Sequence, residues 1–219
     1  MNDQTPPGFI AIEGPIGVGK TTLARKLAGD LNGDLILENA QDNPFLEKFY
    51  NDPQAIALPT QLFFLFQRMK QLKKINQTDM FSSCKVADFL MEKDSLFAKV
   101  TLDKDELELY QQVYENLTID AAKPDLVVYL QAPTEILIKR IQSRSQVNGQ
   151  PIKSEYITKI AEAYTRFFHY YDKSPLLIVN ASGLDIVNNE TDYQQLKQQI
   201  LNTRTGRHYF NPIPFQAAN

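Results

Sequence analysis

The sequence predicts an α/β fold in which helices cover a parallel β-sheet, and three observations predict it. Short runs rich in apolar and β-branched residues recur at 9–13, 34–38, 84–88, 125–131 and 175–180. Stretches with helical spacing of apolar residues fill most of the intervals, and this alternation is the pattern of a parallel sheet joined by crossover helices. The first run leads directly into Gly14-Pro15-Ile16-Gly17-Val18-Gly19-Lys20-Thr21-Thr22, which fits G-x-x-x-x-G-K-[ST] with a strand before it and a helix after it.

Phe9-Ile10-Ala11-Ile12 reads as a buried strand, and Thr21 to Leu31 as a helix with Leu23, Leu27 and Leu31 on one stripe. Between them, glycines at 14, 17 and 19 let the backbone curl so that successive N–H groups point inward. The positive end of the helix dipole meets the same point, which makes an anion site. The loop therefore implies a bound nucleoside triphosphate, ATP by expectation. Lys20 supplies a full charge for the β- and γ-phosphates. The Thr21 hydroxyl is placed to ligate a Mg²⁺ that bridges them, since magnesium takes oxygen ligands.

Functional loops in such sheets lie beyond the carboxyl ends of the strands, so the residues just after Glu13, Leu37, Val86 and Leu130 are the places to search. The interval 55–77 predicts a helix, with Leu58, Leu62, Leu65, Phe66 and Met69 at helical spacing and Lys70, Lys73 and Lys74 near its C-terminal end. Another is expected at 103–121, where Asp103 caps and Leu107, Tyr110, Val113, Tyr114 and Leu117 form a stripe that covers the sheet or makes a dimer interface. Residues 133–172 read as two helices broken at Ser145-Gln146-Val147-Asn148-Gly149-Gln150-Pro151, a hinged flap. Lys139, Arg140 and Arg144 precede the break, where closure would bring them onto phosphates. The tail 203–219, with two arginines and two prolines, is expected to wrap the surface or stay loose.

At 219 residues the chain fits one domain, 1–219. A net charge of −3 and a pI near 5.5 argue against broad binding to nucleic acid and favour a small polar substrate. Cys84 is the only cysteine, so internal disulfides and thiolate metal clusters are excluded and a reducing compartment is expected. Residues 1–8 lack the features of a leader, and no apolar run reaches the ~18–20 residues of a membrane span. A cytoplasmic protein is the expectation, with no membrane partner.

A second group of residues narrows the class. Glu38 ends the second strand, Asn43-Pro44-Phe45-Leu46 follows, Tyr50-Asn51-Asp52-Pro53 closes a short helix, and Gln61 lies one turn into the next. With the phosphate loop, with Lys123-Pro124-Asp125-Leu126-Val127-Val128-Tyr129-Leu130 and with Arg140-Ile141-Gln142-Ser143-Arg144, this order resembles the deoxynucleoside kinase family over nearly the whole chain. The resemblance implies a five-stranded parallel sheet in a three-layer α/β/α P-loop kinase fold, and a lid at about 140–152. It implies transfer of the ATP γ-phosphoryl group to the 5′-hydroxyl of a deoxyribonucleoside, with purines mildly favoured, and a homodimer built on the long helices.

Glu38, a carboxylate at a strand end beside the phosphate-loop strand, matches the family's general base. The other catalytic parts are then Lys20, Mg²⁺, Arg140 and Arg144, because phosphoryl transfer needs mainly alignment and charge neutralisation. The resemblance assigns Gln61 to the base edge, Tyr50 to the sugar 3′-hydroxyl and Phe97 to stacking on the base, with Phe45 and Phe64 as further wall candidates. Arg68, two turns beyond Gln61, is expected as a structural ion-pair residue.

Two departures stand out. Family members carry an acid followed by Arg and Ser after the third strand, the acid helping to hold the metal and the arginine touching the 5′ end of the substrate. Here Val86-Ala87-Asp88-Phe89-Leu90-Met91-Glu92-Lys93-Asp94 offers Asp88 as the acid, for substrate and metal alike, but no adjacent arginine; Lys93 or a lid arginine would have to compensate. The flap has Asn148-Gly149-Gln150 where the family often offers a glutamate. Two other functions fit the same loop: a nucleoside monophosphate kinase, and a nucleotide-binding regulatory subunit with weak catalysis.

Overall fold

Strand β1 (Phe9–Glu13) lies near the middle of a six-stranded sheet of order β2-β3-β1-β4-β5-β6, flanked by β3 (Lys85–Ala87) and β4 (Leu126–Gln131). Beyond these are β2 (Asp34–Ile36) on one side, and β5 (Leu176–Asn180) and β6 (Arg207–Phe210) on the other. Every neighbouring pair is parallel. The computed structural model describes residues 5–77, 84–118, 121–148 and 152–212, excepting the side chains of 74–77 and 144–148.

Eight helices are described: α1 (Lys20–Asp30), α2 (Leu46–Asn51), α3 (Pro53–Gln77), α4 (Lys93–Thr101), α5 (Lys104–Thr118), α6 (Thr134–Asn148), α7 (Ser154–Tyr170) and α8 (Glu190–Asn202). A 3₁₀ turn at Ala40–Asp42 follows β2. Because successive strand residues face opposite sides, the central strands bury two sets of side chains and read as continuous apolar runs. Ile10, Ile12, Val128 and Val179 pack on Leu23 and Leu27 of α1, Leu137 of α6 and Tyr193 and Leu196 of α8. Ala11, Val127, Tyr129 and Ile178 pack on Leu96 of α4 and on Ile160, Tyr164 and Phe168 of α7. Phe9 and Ala87 meet Leu65 and Met69 of α3 and Tyr110 of α5 on that second side. The outcome is the expected α/β/α sandwich. Among the described residues no helix is long and apolar enough to cross a membrane.

The count of five strands is corrected, and so is the expectation for part of the tail, of which residues 213–219 lie outside those described. Residues 207–210 pair in parallel with 176–179, and the Arg207 guanidinium donates to the carbonyls of His169 and Tyr171 at 3.0 and 2.8 Å. Arg-His-Tyr-Phe shows no apolar alternation because its side chains are mostly exposed; the open edge of β5 and these capping bonds set it as a strand. The break expected from 145 onward also starts late, since α6 runs through Asn148, while residues 149–151 lie outside those described. Phe210 packs partly on the core, so Phe210→Ala should lower the urea unfolding free energy by about 1–2 kcal/mol, less than the ~3–5 of a fully enclosed ring. A tail merely draped on the surface would leave it unchanged.

Candidate active site

The phosphate loop is held from below by the last residue of β1. Glu13 is fully buried, and one of its oxygens accepts from the Gly14 N–H at 2.9 Å and from the Tyr164 hydroxyl at 2.8 Å. Its other oxygen accepts from the Leu90 N–H at 2.8 Å. The carboxylate thus ties together the loop, the segment after β3 and helix α7. Gly14 has φ 150°, and a Cβ there would run into the carbonyl oxygen of Leu130, so only glycine lets the loop lie against β4. Gly17 has φ 85°, and a Cβ would lie 2.8 Å from a side-chain carbon of Ile141 on α6.

Lys20 opens α1 and folds its ammonium back into the loop, donating to Gly14 O at 2.7 Å. Burial pulls its pKa down, while the Glu13 charge pushes it back up. The Thr21 hydroxyl donates to Asp88 Oδ2 at 2.6 Å, and the other Asp88 oxygen accepts from the Glu38 N–H at 2.7 Å. Asp88 therefore couples the start of α1 to the residues following β2.

Glu38 is clamped between two cations. Arg68 of α3 meets Glu38 Oε1 and, with its other terminal nitrogen, Asp94; Lys93 donates to Glu38 Oε2 at 2.8 Å. Lys93 Nζ also lies 3.8 Å from Glu13 Oε2. Asp94, Lys93 and Arg68 are all buried, which strengthens each pairing relative to solvent. Burial pushes the Glu38 carboxyl up, but Arg68 and Lys93, aided by Lys20, outweigh it and bring the pKa down to about 2.

A cavity of about 470 Å³ opens over these groups at the carboxyl ends of β1, β2 and β3. Gly17, Gly19, Lys20, Thr21 and Thr22 line one end; Glu38, Tyr50, Gln61, Phe64, Asp88 and Phe97 line the rest. Residues expected in substrate contact from three separate parts of the chain thus share one wall. Phe97 packs edge-on against Tyr164 with ring centroids 6.0 Å apart. Burial and the Glu38 charge push the Tyr50 phenol up to about 12, so it stays a neutral donor. Phe45 does not line the cavity; its ring sits against Phe63. Arg68, expected as a purely structural ion-pair residue, lines the cavity as well as pairing, and its place two turns after Gln61 on one helix face was the signal for it. Lys93, Glu13, Tyr156 and Tyr164 also line or support the site without a motif of their own.

A second cavity of about 730 Å³ lies across the loop, lined by Val18, Thr22, Ile136, Arg140, Leu184, Ile186 and Val187 among others. Arg140 faces this cavity and not the first, donating to Val18 O at 3.3 Å and Ala181 O at 3.0 Å. The Arg144 side chain lies outside those described, as do that of Asn148 and the whole of Gly149 and Gln150.

A phosphate-binding loop at the carboxyl edge of a parallel sheet, with a carboxylate-lined cavity beside it, defines a P-loop kinase, a phosphotransferase. The family model described as deoxynucleoside kinase matches residues 10–204, and the chain belongs to that family. It is similar to a deoxyguanosine kinase of Bacillus subtilis (strain 168), 33% identical over 199 residues that cover 88% of this chain and 95% of the relative. A deoxyadenosine/deoxycytidine kinase of the same organism is 28% identical over 88% of this chain and 91% of its own. Among solved structures, the deoxyadenosine kinase from M. mycoides with bound dCTP superposes with a TM-score of 0.75 at 26% identity, covering 88% of this chain and 98% of that one.

The Glu38 clamp carries a stability signature. Its folded pKa, about 2, lies below the ordinary value of 4.5, so its ionisation stabilises the fold above about pH 4.5 and that contribution is lost as pH falls toward 2. Glu38→Gln leaves two buried cations facing a neutral amide. The variant should be less stable than the wild type by on the order of 3 kcal/mol near neutrality. In urea titrations the gap should close as pH approaches 2; a gap independent of pH would refute the clamp.

Proposed function

We propose that the chain transfers the γ-phosphoryl group of ATP to the 5′-hydroxyl of a deoxyribonucleoside, in nucleotide salvage in the cytoplasm. The observation that carries this reading is the shared cavity that sets Glu38 opposite Lys20, with Tyr50, Gln61 and Phe97 on its walls. In this reading the sugar's primary alcohol donates to Glu38 while the Gly14–Thr22 loop holds the triphosphate. Tyr50 donates to the 3′-hydroxyl, Gln61 offers an amide donor and acceptor to the base edge, and Phe97 packs on the base. Lys20 leaves the Gly14 carbonyl and neutralises the β- and γ-phosphates. The second cavity, apolar on one side and adjoining the loop, suits the donor's base and sugar, with Arg140 at its wall and Arg144 brought up by a lid at about 140–152.

Thr21 and Asp88 fit a Mg²⁺: two hard oxygen donors lie 2.6 Å apart at the end of the loop, and among the described residues no larger cluster of ligands competes. Bound there with phosphate oxygens, the ion would neutralise charge on the transferring group. Glu38, always ionised in its clamp, is a weak base, so its part is to fix the hydroxyl and accept its proton late. That timing suits a loose phosphoryl-transfer transition state.

A monophosphate acceptor is disfavoured by the same clamp, because Arg68 is already paired through both terminal nitrogens, to Glu38 and Asp94, and does not offer its charge to a second phosphate. Purines are preferred in this reading, from the similarity to the deoxyguanosine and deoxyadenosine kinases. A homodimer through α3 and α5 accounts for Phe66 and Leu109, which are large apolar residues left exposed on those helices.

With ATP, Mg²⁺ and each of the four deoxynucleosides, a deoxynucleoside 5′-monophosphate should form; none from any of them sinks the reading. Glu38→Gln should lower kcat at least ~100-fold with ATP binding retained, whereas a regulatory subunit would lose nothing. The wild-type kcat/KM should stay flat as pH falls from about 8 to about 5, because the clamped carboxylate does not take up a proton there. Light scattering should give twice the chain mass, and Phe66→Glu with Leu109→Glu should halve it; a monomeric wild type rejects the dimer.

A further inference from the structure

Lys93 occupies a place that stability alone does not explain. It is the first residue of α4, where the helix dipole repels a cation, and only 2% of its surface is exposed. Its charge also acts against that of Lys20 in the same cavity. Burial of an ammonium under those conditions is costly unless paired, and its pairing is incomplete. Of its three N–H donors, one is taken by Glu38 Oε2 at 2.8 Å, while Glu13 Oε2 at 3.8 Å is beyond hydrogen-bond reach.

The two oxygens of Glu38 are held differently. Oε1 is fixed by Arg68, which is itself locked onto Asp94; Oε2 meets Lys93, and Lys93 lines the cavity. An alcohol that donates to Oε2 therefore has an ammonium donor beside it. We propose that Lys93 is a catalytic residue that touches the attacking 5′-hydroxyl oxygen, holding it against Glu38. This rests on the deoxynucleoside kinase reading and deepens it. As the hydroxyl oxygen bonds to Pγ and the bond from Pγ to the β,γ-bridging oxygen breaks, the hydroxyl proton passes to Glu38 and the departing electron pair to the β-phosphate. Lys93 keeps its proton throughout and offsets the charge passing over the attacking oxygen.

The test compares calorimetric Kd values for the best accepted deoxynucleoside and for its 5′-deoxy analogue, in the wild type, Lys93→Met and Lys93→Arg. Loss of the 5′-hydroxyl should weaken binding by about tenfold or more in the wild type, the usual weight of a hydrogen bond to a charged group. The penalty should shrink severalfold in Lys93→Met, to the share that the bond to Glu38 alone supplies, and persist in Lys93→Arg. In parallel, kcat of Lys93→Met should fall about 100-fold with the nucleoside Kd changed only a few-fold, and Lys93→Arg should recover much of the loss. An equal 5′-hydroxyl penalty in wild type and Lys93→Met, or an unchanged kcat, overturns the assignment. Should Lys93→Met fail to fold, Lys93→Gln decides by the same pair of affinities. A wild type that binds none of the four deoxynucleosides overturns instead the kinase reading on which this rests.

Discussion

The rest of the site depends on one buried ion cluster, in which Glu38 is held by Arg68 from α3 and by Lys93 from the start of α4. Charges removed from water need partners, and each member here has one on a different element. Asp94 holds Arg68, Glu13 lies beside Lys93, and Asp88 holds the Glu38 backbone while accepting from Thr21. The cluster therefore cannot form unless β1, β2, β3, α3 and α4 are all in place. Glu38 leaves a three-residue strand at the sheet edge, with little packing of its own to aim it. Its direction is set by charge, and the same charges keep it ionised.

Glu13 plays the corresponding part for the phosphate loop. A carboxylate beneath a loop of phosphate-binding pattern opposes, by its charge, the anion such a loop takes. Its oxygens, however, accept from the Gly14 and Leu90 amides and the Tyr164 hydroxyl. Tyr164 in turn stacks with Tyr129 of β4 and Phe168 of α7. The loop is thus fixed from behind through an aromatic stack, which holds its backbone dipoles in place, while the Lys20 ammonium rests on the Gly14 carbonyl. Preorganised dipoles of this kind need no rearrangement when charge develops on a transferring group.

Much of this was legible in the sequence, and the limits have physical causes. The loop, the central strands and the long helices follow from local pattern, because a parallel strand buried on both faces is an unbroken apolar run and a phosphate loop requires its glycines. Glu38, Tyr50, Gln61, Asp88 and Phe97 were visible from their order, and they share one cavity wall. β6 was not, since an edge strand with exposed side chains is specified by the open edge of β5 and not by its own composition. Lys93 was named only as one possible stand-in for the absent arginine, and its pairing with Glu38, like that of Asp94 with Arg68, was hidden for another reason. A charged pair at the start of a helix reads as a solvated turn, and only the tertiary approach of Arg68 and Glu38 turns it inward.

The strand order explains why cavities open on both sides of the loop. After β1 the chain moves to one edge for β2 and returns through β3 to lie beside β1; from there it crosses to β4, and everything later is added on the opposite side. The reversal at β1 splays the connections apart, which opens crevices at the carboxyl ends of the strands on both sides of the loop. On one side the residues after β2 and β3 supply carboxylates and cations, Glu38, Asp88 and Lys93. On the other, the residues after β4 and β5 supply an apolar wall with Arg140 bridging Val18 and Ala181. The loop therefore has, by topology, a cavity lined by carboxylates and cations on one side and one with an apolar wall on the other. Moving the carboxylate to the later strands would put it on the apolar side, so the order of elements, more than any single residue, decides which side of the loop is charged.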